Sequence, residues 1–228
     1  MEKAIVLLSG GQDSTTCLGW AKKRFGEVTA LSLWYGQRHV AELDAAKIIA
    51  KRFGVEHLVM SVPTLRDIGG SALVDATLEL KADGGLKDDQ APGGLPTSFV
   101  PGRNLLFLSI AAAVAVSREA KNIVVGVCQT DYSGYPDCRE PFINSMEHTI
   151  SLAMPSESGP IHIHTPLMHM SKSDTVMLAN SLGEATWNAL GDSITCYLGQ
   201  RPGCGTCPAC TLRVKGFAEA GFADPAHG

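Results

Sequence analysis

The sequence has no apolar run long enough to cross a bilayer. The longest, Leu105 to Val116, falls well short of the ~20 residues that a spanning helix needs. Nor is there an excess of positive charge. The net charge is −4 over 228 residues, so no global field draws the chain to nucleic acid or to an anionic membrane. Only one basic residue precedes the first apolar run, Ala4 to Leu8, and no small-residue cleavage site follows it. A soluble cytoplasmic protein is therefore expected. Internal repeats and low-complexity tracts are also missing, which argues against a solenoid. What remains is ordinary: 45% apolar and 18% charged residues, the balance of a globular domain with a real core.

The run Ala4–Leu8, bounded by a Gly-rich loop, reads as a buried strand. Thr15–Phe25 reads as a helix, with Asp13 and Ser14 before it and Gly26 after it. Val28–Leu33 is a second strand. Arg38–Phe53 places Val40, Leu43, Ala46, Ala50 and Phe53 on one helical face, and Val55–Val62 is a third strand. Strands alternating with helices imply a parallel sheet with right-handed crossovers. Further on, Leu105–Val116 reads as a buried helix, Ile123–Val127 as a strand, Pro141–Ala153 as a helix, 161–168 as a late strand and Lys172–Leu182 as a helix. The stretch 69–96 is rich in Gly, Asp and Pro and reads as an excursion, a lid or an interface arm.

Ligands of open α/β sheets bind beyond the carboxyl ends of the strands. Loops 9–14, 34–39 and 128–139 all fall there. The first, Ser9-Gly10-Gly11-Gln12-Asp13-Ser14, follows a strand and opens a helix. Glycines let successive N–H groups face one anion, and the helix N-terminus adds its partial positive charge. Ser9 and Ser14 offer hydroxyls, and Asp13 suits Mg²⁺ or a helix cap. No lysine follows the glycines, so this is not the G-x-x-x-x-G-K-[ST] loop. A plain glycine turn is the bland alternative.

Seven cysteines are an odd number, and four of them, Cys196, Cys204, Cys207 and Cys210, crowd together near the C-terminus. Such a cluster points to a metal rather than to disulfides. Four thiolates suit a closed tetrahedral zinc site, and a [4Fe–4S] cluster is the rival. Cys17 and Cys128 suit small buried apolar positions, and Cys138 has nothing near it in sequence to activate it.

The hexapeptide Ser9–Ser14 resembles the S-G-G-x-D-S signature of the ATP-pyrophosphatase superfamily, which uses ATP to transfer AMP to a substrate oxygen. Tyr35-Gly36-Gln37-Arg38-His39, Phe99-Val100-Pro101-Gly102-Arg103-Asn104, the loop Asp131–Arg139 and the four clustered cysteines are similar, in order, to the 7-cyano-7-deazaguanine synthase family, from about residue 3 to about residue 215. One departure is Trp34, where that family leads one to expect an acid. The resemblance implies a Rossmann-like parallel sheet of the adenine-nucleotide α-hydrolase type over residues 1–190. It implies a zinc-binding segment over 191–228 packed on that sheet as one compact unit, and a homodimer.

The activity it implies is an ATP-dependent carbon–nitrogen ligase (class 6.3.4) of queuosine biosynthesis, with ATP and Mg²⁺, ammonia and 7-carboxy-7-deazaguanine as substrates and one structural Zn²⁺ on Cys196, Cys204, Cys207 and Cys210. ATP contacts are implied along Leu8, Ser9, Gly10, Gly11, Gln12, Asp13, Ser14, Thr15, Thr16, Cys17 and Leu18, and at Arg103. Substrate contacts are implied at Tyr35, Gln37, Arg38, Tyr132, Tyr135 and Asp137. Arg38 and Arg103 are forked donors suited to phosphate or carboxylate. Tyr132 and Tyr135 suit stacking on a flat heterocycle, and Asp137 suits a guanine-like edge. No residue announces itself as general base; Arg38, His39 and Asp131 are the catalytic candidates. Two other readings compete. A tRNA-thiolating enzyme with an iron–sulfur cluster needs an RNA-binding surface that the charge does not supply. A non-enzymatic nucleotide-sensing or zinc-ribbon module has little use for so many motif-bearing loops.

Overall fold

The computed structural model describes residues 1–37, 40–75, 77–78, 95–129, 134–155 and 159–227. Five strands, β1 (Lys3–Leu7), β2 (Glu27–Trp34), β3 (Glu56–Ser61), β4 (Asn122–Val124) and β5 (His162–His164), form one parallel sheet in the order β3-β2-β1-β4-β5. The helices are α1 (Gln12–Arg24), α2 (Ala41–Arg52), α3 (Thr64–Ile68), α4 (Arg103–Ser117), α5 (Glu140–Ala153), α6 (Lys172–Ser181), α7 (Glu184–Asp192) and α8 (Pro208–Ala220). The predicted parallel α/β architecture is what forms. Helices α3, α7 and α8 are additions to the sequence reading, and the predicted late strand 161–168 contracts to His162–His164.

The central strands read as near-continuous apolar runs because both faces of the sheet are covered. Successive side chains alternate. Ala4, Val6, Val28 and Ala30 meet Cys17, Leu18 and Ala21 of α1 and Ala45, Ala46, Ile49 and Ala50 of α2. Ile5, Leu31 and Leu33 meet Leu108, Ala111, Ala112 and Ala115 of α4, and α5 adds Ile143, Met146 and Ile150 to that layer. Strand order reverses between β1 and β4. That is the switch point at which a crevice opens beyond the strand ends.

The segment after residue 190 is built into this frame. The Ile194 N–H donates to the Gly10 carbonyl at 2.9 Å. Helix α8 packs along α6. Arg213 of α8 is 4% exposed and spends all of its donor groups at once. It donates to Asp224 through Nε (2.6 Å) and Nη2 (2.8 Å), to the Leu190 carbonyl, and to the hydroxyls of Ser193 and Thr195.

Candidate active site

A cavity of about 680 Å³ opens at the switch point. Its floor is the loop after β1. Gly10 takes φ +92°, a conformation that L side chains rarely adopt, and a Cβ there would lie 2.2 Å from the Glu42 carbonyl oxygen. The loop is therefore pressed against the first turn of α2, and only glycine fits. The loop holds its shape internally. Ser14 Oγ accepts from the Ser9 N–H at 3.2 Å and lies 3.0 Å from Ser9 Oγ, and the Ser14 and Thr15 hydroxyls donate to the Gly11 carbonyl.

Leu8, Ser9, Gly11, Gln12, Asp13 and Ser14 line the cavity. Thr15, Thr16, Cys17 and Leu18 are wholly buried and are not on its wall; Gly10 meets α2 instead. The Thr16 hydroxyl is spent on the Gln12 carbonyl, and burial pushes the Cys17 thiol well up, as suits a core residue. Asp13 does not cap α1, whose N-cap is Gly11 with no side-chain cap. Its Oδ2 accepts from Lys172 Nζ at 2.6 Å. Asp13 Oδ1 and Gln12 Nε2 are buried with no hydrogen-bond partner among the described residues. Buried polar atoms are costly to leave unpaired, so two such atoms at a phosphate-type loop mark a place where a ligand completes the bonding.

Lys172 is the cation that sequence reading missed. No lysine follows the glycines, but the fold brings one from the start of α6, 159 residues away. The nearest sequence signal is the capping box Ser171–Asp174, which locates the helix start but not its target.

The upper cavity is aromatic. Tyr35 packs edge-on to Phe107 at 5.5 Å, and Tyr135 lies 5.4 Å from Phe99 with its hydroxyl 2.6 Å from Ser98 Oγ. Burial raises the phenol pKa of both tyrosines, so both hydroxyls keep their protons. Arg103, first in α4, reaches the cavity and hydrogen-bonds the Tyr35 hydroxyl. Gln37 also lines it, with Oε1 accepting from the Tyr35 N–H at 2.9 Å. Glu42 stands in the wall opposite Arg103, and burial pushes its carboxyl up to about 7 against the lowering pull of Arg103.

Asp137 is not among the residues that line the cavity. It is buried, and its Oδ2 accepts from the Asn104 N–H at 3.2 Å while its carbonyl accepts from Asn104 Nδ2. It thus satisfies an orphan donor at the α4 N-terminus, one layer behind the cavity wall. Arg38, His39, Asp131 and Tyr132 lie outside the described residues.

Cys196, Cys204, Cys207 and Cys210 converge, all four sulfurs lying within 4.8 Å of one another. A tetrahedral site with metal–sulfur bonds of about 2.3 Å has sulfurs about 3.8 Å apart, and Cys204 and Cys210 stand at 3.9 Å. Gly205, at φ +71°, shapes the turn, and the Cys207 N–H donates to Cys204 Sγ at 3.2 Å. The Thr206 hydroxyl lowers the Cys204 pKa, whereas burial raises those of Cys207 and Cys210. The donor set fits a metal ion whose charge removes the remaining protons.

Fold and site together define a doubly wound α/β domain with a glycine loop at its switch point and, beside it, a cluster of four cysteines that could hold a metal ion. The model of the family described as "Queuosine biosynthesis protein QueC" matches residues 3–221, and the chain belongs to that family. Similar proteins include the 7-cyano-7-deazaguanine synthases of Chromobacterium violaceum (53% identical, 98% of this chain and 92% of that one), Laribacter hongkongensis (53%, 98% and 93%) and Bacillus subtilis (47%, 96% and 94%).

Proposed function

We propose that this enzyme converts 7-carboxy-7-deazaguanine and ammonia to 7-cyano-7-deazaguanine at the expense of two ATP. The observation that carries the reading is the pair of unpartnered polar atoms, Gln12 Nε2 and Asp13 Oδ1, at the cavity floor of a chain that belongs to the QueC family. ATP lays its phosphates on loop 9–14, with Lys172 and the N-terminus of α1 facing their charge. The substrate carboxylate attacks the α-phosphorus and pyrophosphate leaves. Ammonia attacks the resulting acyl adenylate, giving the amide and AMP. The amide oxygen then attacks a second ATP, again expelling pyrophosphate. Loss of AMP and a proton leaves the nitrile. Positioning and charge stabilisation supply most of such catalysis.

Arg103 beside Tyr35 suits the transferring phosphoryl group or the carboxylate. Tyr35 and Tyr135 give flat apolar surface to the heterocycle, Gln37 holds Tyr35, and Asp137 holds the α4 end that carries Arg103. The four cysteines would hold one Zn²⁺, which supplies folding energy rather than chemistry. Asp13 would hold Mg²⁺, which neutralises phosphate charge.

The tRNA-thiolating alternative is not favoured, since the family match and the named relatives belong to the deazaguanine step. A homodimer in the cytoplasm goes with the proposal. No helix among the described residues is long and apolar enough to cross a membrane, and edge strand β3 exposes Val59 and Met60. The test is incubation with ATP, Mg²⁺, ammonium and 7-carboxy-7-deazaguanine, read by mass spectrometry. Two AMP per nitrile are expected. Zinc-replete protein that makes neither product would overturn the reading.

A further inference from the structure

We infer that Glu42 is the catalytic residue that binds ammonium in the cavity and takes its proton, so that neutral ammonia reaches the acyl adenylate; this rests on the function just proposed.

The backbone of Glu42 lies against Gly10 of the phosphate loop, and its side chain faces Arg103 and Tyr35. It therefore stands where the phosphate half of the cavity meets the aromatic half, which is where an acyl adenylate would have its reacting carbonyl.

Among the described residues the cavity wall carries two carboxylates, Asp13 and Glu42. Asp13 has Oδ2 held by Lys172 at 2.6 Å and Oδ1 on the floor of the phosphate loop, where the proposed function assigns it to Mg²⁺. Arg103, Lys172, Lys215 and Arg213 are cations, which repel ammonium and accept no proton. Lys215 pairs with Glu219 and Arg213 with Asp224. Tyr35 and Tyr135 are held in their protonated forms by burial. Glu42 alone of these groups both attracts a cation and accepts a proton. Its carboxyl, pushed up to about 7, is matched to that task near neutrality. Its titration is set by burial, which raises it, and by Arg103 from α4, which lowers it; Tyr35 and the Asp13–Lys172 pair also line the cavity.

The step balances. The Glu42 carboxylate takes one proton from ammonium. The nitrogen lone pair forms the C–N bond, and the acyl C–O bond to AMP breaks with its electrons going to AMP. The surplus proton on nitrogen leaves with the departing phosphate.

The test is Glu42→Gln, with Glu42→Asp as a second variant that keeps the acid but shortens its reach. Three readouts are taken at pH 7 and at pH 9: substrate-dependent pyrophosphate–ATP exchange without ammonium, amide formation from ammonium, and hydroxamate formation from hydroxylamine, which is already neutral at pH 7. The expected result for Glu42→Gln is near-normal exchange and hydroxamate formation. Its kcat/KM for ammonium should fall by about 10²-fold or more at pH 7. That loss should shrink at pH 9, where free ammonia is abundant, and Glu42→Asp should fall between. Equal losses with both nucleophiles, a rise confined to KM for the deazaguanine, or unchanged use of ammonium would overturn the assignment while the nitrile synthase reading stands. Absence of exchange in the unaltered enzyme would instead bring down that reading, and this assignment with it.

Discussion

Arg213→Met is the sharpest test of how the C-terminal segment is held. Arg213 is almost fully buried and its donors serve Asp224 twice, Ser193, Thr195 and the Leu190 carbonyl. Methionine keeps much of the apolar stem but leaves the Asp224 carboxylate buried beside only the Ala226 N–H at 2.9 Å and His227 at 3.5 Å. Breaking a buried pair from one side costs about 3–5 kcal/mol. The two surviving partners of Asp224 place the expected loss near the lower end, about 3 kcal/mol. For a chain of this size that corresponds to a fall in Tm on the order of 10 °C. Urea unfolding and calorimetry at fixed metal supplement measure it.

The paired variant Arg213→Met with Asp224→Leu removes the stranded charge and should regain about 1 kcal/mol or more of the single loss. Burial opposes the charge on Asp224, but the Arg213 guanidinium outweighs it and holds the carboxyl below its ordinary 3.8. The pair's contribution is therefore present above pH 3.8 and is lost as pH falls through the folded-state value. The difference between wild type and Arg213→Met should narrow in acid. A loss under about 1 kcal/mol, or a paired variant no better than the single one, would refute the reasoning.

Glu42 carries the opposite sign. Its carboxyl rises from 4.5 to about 7 on folding, so the folded state holds the proton more tightly and stability falls as pH rises from about 4.5 to about 7. At about 1.4 kcal/mol per tenfold in proton affinity, Glu42→Gln should gain up to about 3 kcal/mol at pH 8 and nothing at pH 4, read as Tm against pH. Lys172→Ala strands Asp13 and removes a cation from the loop that, on the proposed function, faces phosphate. We expect kcat/KM for ATP to fall by about 10²-fold, with that for ammonium unchanged once the adenylate is formed, as single-turnover kinetics can separate. Cys207→Ala should lose bound zinc and melting temperature together; one zinc retained per chain at unchanged Tm would speak against a structural metal.

The parts of the fold legible in sequence are those whose burial is two-sided and apolar. Ala4–Leu8 and the glycine loop after it could be read because a continuous apolar run ending in glycines has few other uses. Helix α8 could not. Its buried face is Ala209, Cys210, Arg213, Gly216 and Phe217, spaced as a helix should be but built from small, metal-binding and charged residues, so periodicity of hydrophobicity had nothing to detect. Pro208 directly after Cys207 was the available sign, since proline favours the first helical position. Lys172 and Glu42 escaped, and the helix-capping contact of Asp137 with them, for a different reason. Each looked locally sufficient. Lys172 and Glu42 sit in first helical turns, and Asp137 sits in a turn. Only the fold shows that one faces a phosphate loop, one a cavity, and one the end of another helix.

The same observations change the relation between the cysteine cradle and the phosphate loop. In sequence they are separate features, nearly the whole chain apart. In the structure Ile194 donates to the carbonyl of Gly10, and Ser193 and Thr195 are gripped by Arg213. Cys196 follows at once, closing the cradle with Cys204, Cys207 and Cys210 at the entry to α8. Residues 194–197 are also cavity wall. Segment 193–196 is thus fixed at both ends, by the four-cysteine cluster on one side and a saturated arginine on the other, and Ile194 within it braces the loop that would hold pyrophosphate. A metal held by these cysteines would set the geometry of the chemistry without taking part in it, because the stretch of backbone it would anchor is the one that the loop leans on.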